Sequence, residues 1–258
     1  PFKAWERNPI LTQRHLASDR PNPVTCAGHA DLIQAKEGDW WGVFLACRPI
    51  DNRFENLGRE TFLMPVKWSE DGFPYFTQDN EVVPMIQSRS GVVRDKEVTF
   101  GNFSVTEEFN DSILGMQWMT LRGPATDLYS LTETPGYLTL KCAPKSSKER
   151  CVPAFVSRHM QHHEFEASTR MFFNPQDVNV KAGLLLFKNE FHQYFMGVGE
   201  SETGRNITLT QIGRKEDKIL AENVLPSDAV QFDLKVVSKG LTYIFFYSLN
   251  GGKEWKLL

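Results

Sequence analysis

The chain runs to 258 residues with 41% hydrophobic and 12% aromatic content, enough apolar surface for real cores in one large or two ordinary domains. Its 29 basic and 32 acidic residues, a formal charge of −3 without long like-charge blocks, argue against a nucleic-acid patch or a polybasic membrane anchor. No run nears the roughly 18 apolar residues that span a bilayer, and the opening Pro1-Phe-Lys-Ala-Trp5 lacks the regions of a signal peptide. Nucleic acid and membrane are therefore set aside as partners, and the compartment stays open between cytoplasm, periplasm and secretion.

Short runs rich in Val, Ile, Phe, Tyr and Trp alternate with Gly, Asn, Asp and Pro clusters, and no long window keeps a helical period. This predicts an all-β chain. Residues 30–35 and 40–47 read as strands around Lys36-Glu-Gly38-Asp39, where Gly38 can supply the positive φ of a tight turn. Residues 61–68 and 74–76 read as a second hairpin about Ser69-Glu-Asp-Gly72. At roughly 40 to 45 residues per propeller blade, about the first 90 residues would hold two blades, too few to close a ring.

Residues 82–93 read as a linker with Pro84 and Gly91 as breakers, which puts a domain boundary near residue 92. Beyond it, strands are expected at 102–109, 118–121, 129–131, 137–142, 154–159, 163–172, 182–189, 193–199, 206–212, 231–238 and 241–248. Many strands joined by tight turns predict an antiparallel β-sandwich. Glu164-Phe-Glu-Ala-Ser-Thr-Arg170 and Phe232-Asp-Leu-Lys-Val-Val237 alternate best. The close on Lys253-Glu-Trp-Lys-Leu-Leu258, read as a strand after an Asn-Gly-Gly turn, and the start without methionine suggest an excerpt of a longer protein.

Cys26, Cys47, Cys142 and Cys151 form no CxxC pair and no zinc spacing, so no structural metal is expected. Cys142 and Cys151 flank a polar loop that a hairpin could close into a disulfide in an oxidising compartment; otherwise all four are free thiols. His29 follows Gly28 at the start of an expected strand, a rim position that suits either a ligand-facing or a structural imidazole. Arg59 follows Gly58 and precedes Glu60, so it reads either as ligand-facing or as paired with its neighbours.

Trp40, Trp41, Phe44, Phe62, Trp68, Phe73, Tyr75 and Phe76 could stack on sugar rings, though packing is the simpler role. His159, His162 and His163 lack a carboxylate or thiolate at metal spacing and read as a surface or packed cluster. No Gly-x-Ser-x-Gly elbow supports a serine hydrolase. Asn102, Asn110 and Asn206 open glycosylation sequons.

In order and wording, Asn8-Pro-Ile-Leu-Thr, Cys26-Ala-Gly-His29-Ala-Asp-Leu, Val43-Phe-Leu-Ala-Cys-Arg48-Pro, Leu57-Gly-Arg59-Glu-Thr-Phe-Leu and Trp68-Ser-Glu-Asp-Gly-Phe-Pro resemble the last blades of glycoside hydrolase family 43, in its β-xylosidase and α-L-arabinofuranosidase branch. Past the linker, Phe109-Asn-Asp, Trp118-Met-Thr-Leu-Arg122-Gly-Pro, Ser130-Leu-Thr-Glu-Thr-Pro-Gly136-Tyr-Leu and Gln161-His-His-Glu-Phe-Glu-Ala resemble the concanavalin A-like sandwich of that branch.

The resemblance implies residues 1–92 as the C-terminal part of a five-bladed β-propeller and residues 93–258 as a β-sandwich, incomplete at its C terminus. It implies an inverting exo-glycosidase removing terminal β-D-xylosyl or α-L-arabinofuranosyl units from plant cell-wall oligosaccharides, the acid and base carboxylates lying upstream of Pro1. His29, at the pocket floor, and Arg59, reaching the glycone, carry over as substrate-binding residues; neither is the acid or the base. No metal ligand or cofactor is expected, except that some relatives place a divalent cation such as calcium beside the pocket histidine. The implied partners are a xylo- or arabino-oligosaccharide and the rest of the propeller, and a homo-oligomer is compatible with the sequence. The alternative is a carbohydrate-binding protein of the same architecture that has lost catalysis.

Overall fold

The computed structural model describes residues 3–91 and 102–258. Among these there is no helix, and strands alone carry the architecture, as the absent 3.6-residue period predicts. The chain divides into two compact units, Pro1–Glu97 with Gln161–His163, and Val98–Met160 with Glu164–Leu258. The boundary expected near residue 92 falls outside the described residues.

In the first unit β1 (Thr25–Gln34), β2 (Trp40–Cys47) and β3 (Glu60–Pro65) form one antiparallel sheet in sequence order. A separate hairpin pairs β4 (Lys67–Trp68) with β5 (Pro74–Tyr75). Where about two blades are expected, the described residues thus form one three-stranded sheet and one hairpin. Gly38 turns the first connection with φ +93°, as its place in the loop requires. The expected strand 61–68 is broken in two: Pro65, with no amide hydrogen, ends β3, and Val66 donates its N–H to Trp40 O at 2.8 Å while burying its side chain.

Val24, Phe44, Ala46, Met64, Val66 and Phe76 build the core under this sheet, each large side chain contributing about 1.5–3 kcal/mol on burial. Phe44, Phe76, Trp40 and Phe62 serve that packing, and other aromatic residues meet in pairs. Phe44 lies 5.6 Å from Phe76 and 5.7 Å from Phe62, centroid to centroid, Trp40 meets Trp68 edge-on, and Trp5 packs on Phe73 and Tyr75.

The second unit opens with short pairings. In it β6 (Met119–Thr120), β7 (Tyr129–Ser130), β8 (Thr139–Leu140) and β9 (Val156–Ser157) join as β6 with β9 and β7 with β8, so the strands expected there shrink to two residues each. The strand expected at 102–109 does not form. Instead the Glu107 carboxylate accepts from Phe109 N at 3.1 Å, Gln117 Nε2 at 3.2 Å and Trp118 Nε1 at 3.0 Å, and such local side-chain bonds compete with a ladder.

The sandwich follows: β10 (Glu164–Phe172), β11 (Ala182–Asn189), β12 (His192–Ser201), β13 (Gly204–Ile212), β14 (Asp217–Val224), β15 (Gln231–Lys239), β16 (Thr242–Ser248) and β17 (Lys256–Leu257). They make two four-stranded antiparallel sheets, ordered β10-β15-β16-β17 and β11-β12-β13-β14. Cross-strand pairs fill the space between them: Met196 opposite Leu209 and Val198 opposite Ile207 from one sheet, Leu234 opposite Tyr247 and Val236 opposite Phe245 from the other. β14 is a strand that periodicity misses. It is an edge strand with a register shift opposite Leu209 and Thr210, and its Ile219, Leu220 and Val224 face solvent, so no burial pattern marks it.

Two details of this unit bear on expectations. Asn206 is 5% exposed and donates to Glu222 Oε1 at 2.6 Å, which removes its sequon from the folded surface. Gly183 faces Gly197 across β11 and β12, and a Cβ there would stand 1.9 Å from the Met196 carbonyl oxygen. Because that obstacle is backbone, Gly183→Ala is expected to cost about 1–3 kcal/mol, read as a lowered denaturation midpoint; an unmoved midpoint would show that β11 yields freely.

Candidate functional site

β1 is not a plain strand. Its pairing with β2 runs Thr25 to Cys47, Gly28 to Leu45 and Asp31 to Val43, with a register shift in each interval. Each shift sets one extra residue of β1 against β2, the signature of a β-bulge. Within the two bulges Cys26 takes φ +53° and His29 φ +55°, a left-handed conformation that costs a non-glycine residue about 1–2 kcal/mol. The inward positions become Ala27 and Ala30, which pack against the core, while His29 is exposed. His29 therefore lies inside a strand and not at its start as its sequence context suggests; the bulges do the aiming that a strand end would have done.

Arg59 is delivered by a turn in which Gly58, at φ +72°, donates its N–H to Glu55 O at 3.0 Å. Glu60, the obvious partner, is taken by another arginine. Arg48, at the end of β2, grips its carboxylate with Nε 2.9 Å from Oε2 and Nη2 2.5 Å from Oε1, a two-pronged geometry among the stronger protein hydrogen bonds. Arg48 is further held by Gln161 O, 2.9 Å from Nη2, and by His163 Nε2, 3.0 Å from its own carbonyl oxygen. The Glu60 carboxylate raises the Arg48 pKa. Arg59 is exposed and, among the described residues, has no ion pair.

Gly28, Leu45 and Thr61 occupy one row across the three strands. His29 is the residue after that row on β1, and Arg59 sits two residues before it at the head of β3. Two interstrand spacings put the strands that bear them about 10 Å apart, and the three-residue offset along the strands adds about as much again. No hydrogen bond joins the two side chains among the described residues. The sequence marks both positions, but it gives no sign that Arg48 frees Arg59 from Glu60, since that depends on which strands pair.

The residues described around His29 give no support to the divalent cation implied beside it. Calcium needs about six to eight oxygen ligands, and among the described residues the one group of three or more metal-ligating side chains is Cys26, Cys47 and Glu55, without His29. His159, His162 and His163 contribute to no such group either. All four cysteines are free thiols, Cys142 and Cys151 included. Glu55 Oε1 accepts from Thr25 Oγ1 at 2.7 Å and from Cys26 Sγ at 3.3 Å, bonds that hold its carboxyl below the usual range. Burial pushes the Cys47 thiol up to about 12, with the Glu55 carboxylate adding to the effect.

Comparison with known proteins agrees with this architecture. Residues 1–74 match the model for glycosyl hydrolases family 43, and residues 106–258 match the β-xylosidase C-terminal concanavalin A-like domain. The chain is 31% identical over 255 residues to the non-reducing end α-L-arabinofuranosidase BoGH43B of Bacteroides ovatus, covering 95% of this chain and 45% of that protein. It is 32% identical over 268 residues to a β-xylosidase of Bacillus subtilis, covering 99% and 49%. The solved GH43 BlXynB protein of Bacillus licheniformis superposes with a TM-score of 0.80 at 27% identity, covering 100% of this chain and 48% of that one. The chain thus spans about half the length of the relatives it matches. With one family model on each unit, the chain belongs to glycoside hydrolase family 43.

Proposed function

We propose that this chain supplies the sugar-binding wall and the accessory sandwich of an exo-glycosidase that releases terminal β-D-xylosyl or α-L-arabinofuranosyl units with inversion, and that the propeller is five-bladed. The observation that carries the reading is Arg59, an exposed guanidinium left without a carboxylate among the described residues because Arg48 holds Glu60. In this role Arg59 donates to glycone hydroxyls, and His29, aimed outward by its bulge, donates to another or holds a bound water.

The general acid and general base belong outside these 258 residues. An acid working near neutral pH needs its carboxyl pKa raised. Among the described residues the displaced carboxyl pKa values, at Glu37, Asp39, Glu55, Glu81 and Glu190, are all lowered, each chiefly by hydrogen bonds to the carboxylate. These groups stay ionised and serve as anchors.

The intact protein is expected to release nitrophenol from nitrophenyl β-D-xyloside or α-L-arabinofuranoside, while the 258-residue chain alone releases none. Sugar binding by the intact protein without any release would move the reading to the non-catalytic alternative. Release by the isolated chain would show that the acid and base lie within it.

A further inference from the structure

We propose that Cys26, Cys47 and Glu55 form a binding site for one thiophilic divalent cation of the zinc and cadmium class, with water completing a tetrahedron. The three side chains come from the first bulge of β1, the last residue of β2 and the loop before β3, and their ligand atoms all lie within 4.8 Å of one another. Metal–sulfur bonds of about 2.3 Å and metal–oxygen bonds of about 2.0 Å place tetrahedral ligands roughly 3.5–3.8 Å apart. Cys26 Sγ already stands 3.3 Å from Glu55 Oε1.

The bulge makes the site. In a regular ladder the residue after Thr25, which faces Cys47, would turn its side chain to the opposite side of the sheet; the extra residue and the +53° φ of Cys26 bring its thiol round beside that of Cys47. Two soft sulfurs with one carboxylate select zinc-class ions over calcium or magnesium. Cys47 is 2% exposed and forms the dry side of the site, while Cys26, Thr25 and Asn52 line a cavity of about 150 Å³ that gives entry. As each sulfur–metal bond forms, the thiol proton leaves to solvent.

The test uses the intact protein, reduced and stripped of metal, titrated with Co²⁺ and then Zn²⁺. A thiolate-to-cobalt charge-transfer band should appear and be displaced by zinc. One equivalent of bound cation should be lost in Cys26→Ser, its affinity should fall about tenfold or more in Glu55→Gln, and it should be kept in Cys142→Ser. Cys26 is exposed, and an unchanged metal-free melting midpoint would confirm that its variant folds. Equal stoichiometry in the parent and Cys26→Ser would overturn the proposal, as would a Cys26–Cys47 disulfide that persists under reductant.

Discussion

Replacing Arg59 by alanine in the intact protein is expected to lower kcat/KM on nitrophenyl β-D-xyloside and α-L-arabinofuranoside by about 10²–10³-fold, roughly 2.7–4 kcal/mol of transition-state stabilisation. The size follows from the charge. In the proposed role a guanidinium with no protein carboxylate among the described residues keeps its donors for the glycone hydroxyls and holds the ring in the reactive orientation. Lysine should recover little, because a point charge cannot reproduce the planar fork. Unchanged kinetics in Arg59→Ala would remove Arg59 from the site.

The second large effect concerns the platform on which both residues stand. Phe76 is fully buried against Phe44, so Phe76→Ala is expected to cost about 3–5 kcal/mol. Its ring edge occupies the space above Gly42, where a Cβ would lie 2.2 Å from Cε1 and Cζ. Gly42→Ala should therefore cost about 1–3 kcal/mol by overpacking. The pair should not add. The void left by Phe76→Ala accepts the new methyl, so the double variant should be less destabilised than the sum of the single ones, a coupling of about 0.5–3 kcal/mol in a double-mutant cycle followed by denaturant unfolding. Strict additivity would show that Gly42 and Phe76 do not meet in solution.

Much of the frame is legible in the chain itself. Phe232, Leu234 and Val236 alternate as a sandwich strand should, and all three reach the core; Gly38 and Gly72 mark the two turns at which they are found with positive φ. β14 escapes because an edge strand with outward Ile219, Leu220 and Val224 has no buried face to give it a period. Residues 102–109 mislead for the opposite reason, since apolar side chains suggest a strand where Glu107 gathers the neighbouring donors onto its carboxylate.

At the candidate site the division is the same. His29 and Arg59 stand out through the wording of their motifs, but what gives them a role depends on pairings between strands that no single segment encodes. The bulges of β1 exist only relative to β2, and the release of Arg59 from Glu60 requires Arg48 to arrive from the far end of β2. Cys26, Cys47 and Glu55 likewise share no sequence spacing, and the sheet alone brings them together.

The most direct measurement is a crystal structure of the intact protein holding xylose or arabinose. It should show the Arg59 guanidinium within hydrogen-bonding distance of the sugar hydroxyls, His29 on the same sugar, and Arg48 still paired with Glu60. A sugar bound elsewhere, with Arg59 in solvent or turned onto Glu60, would contradict the account.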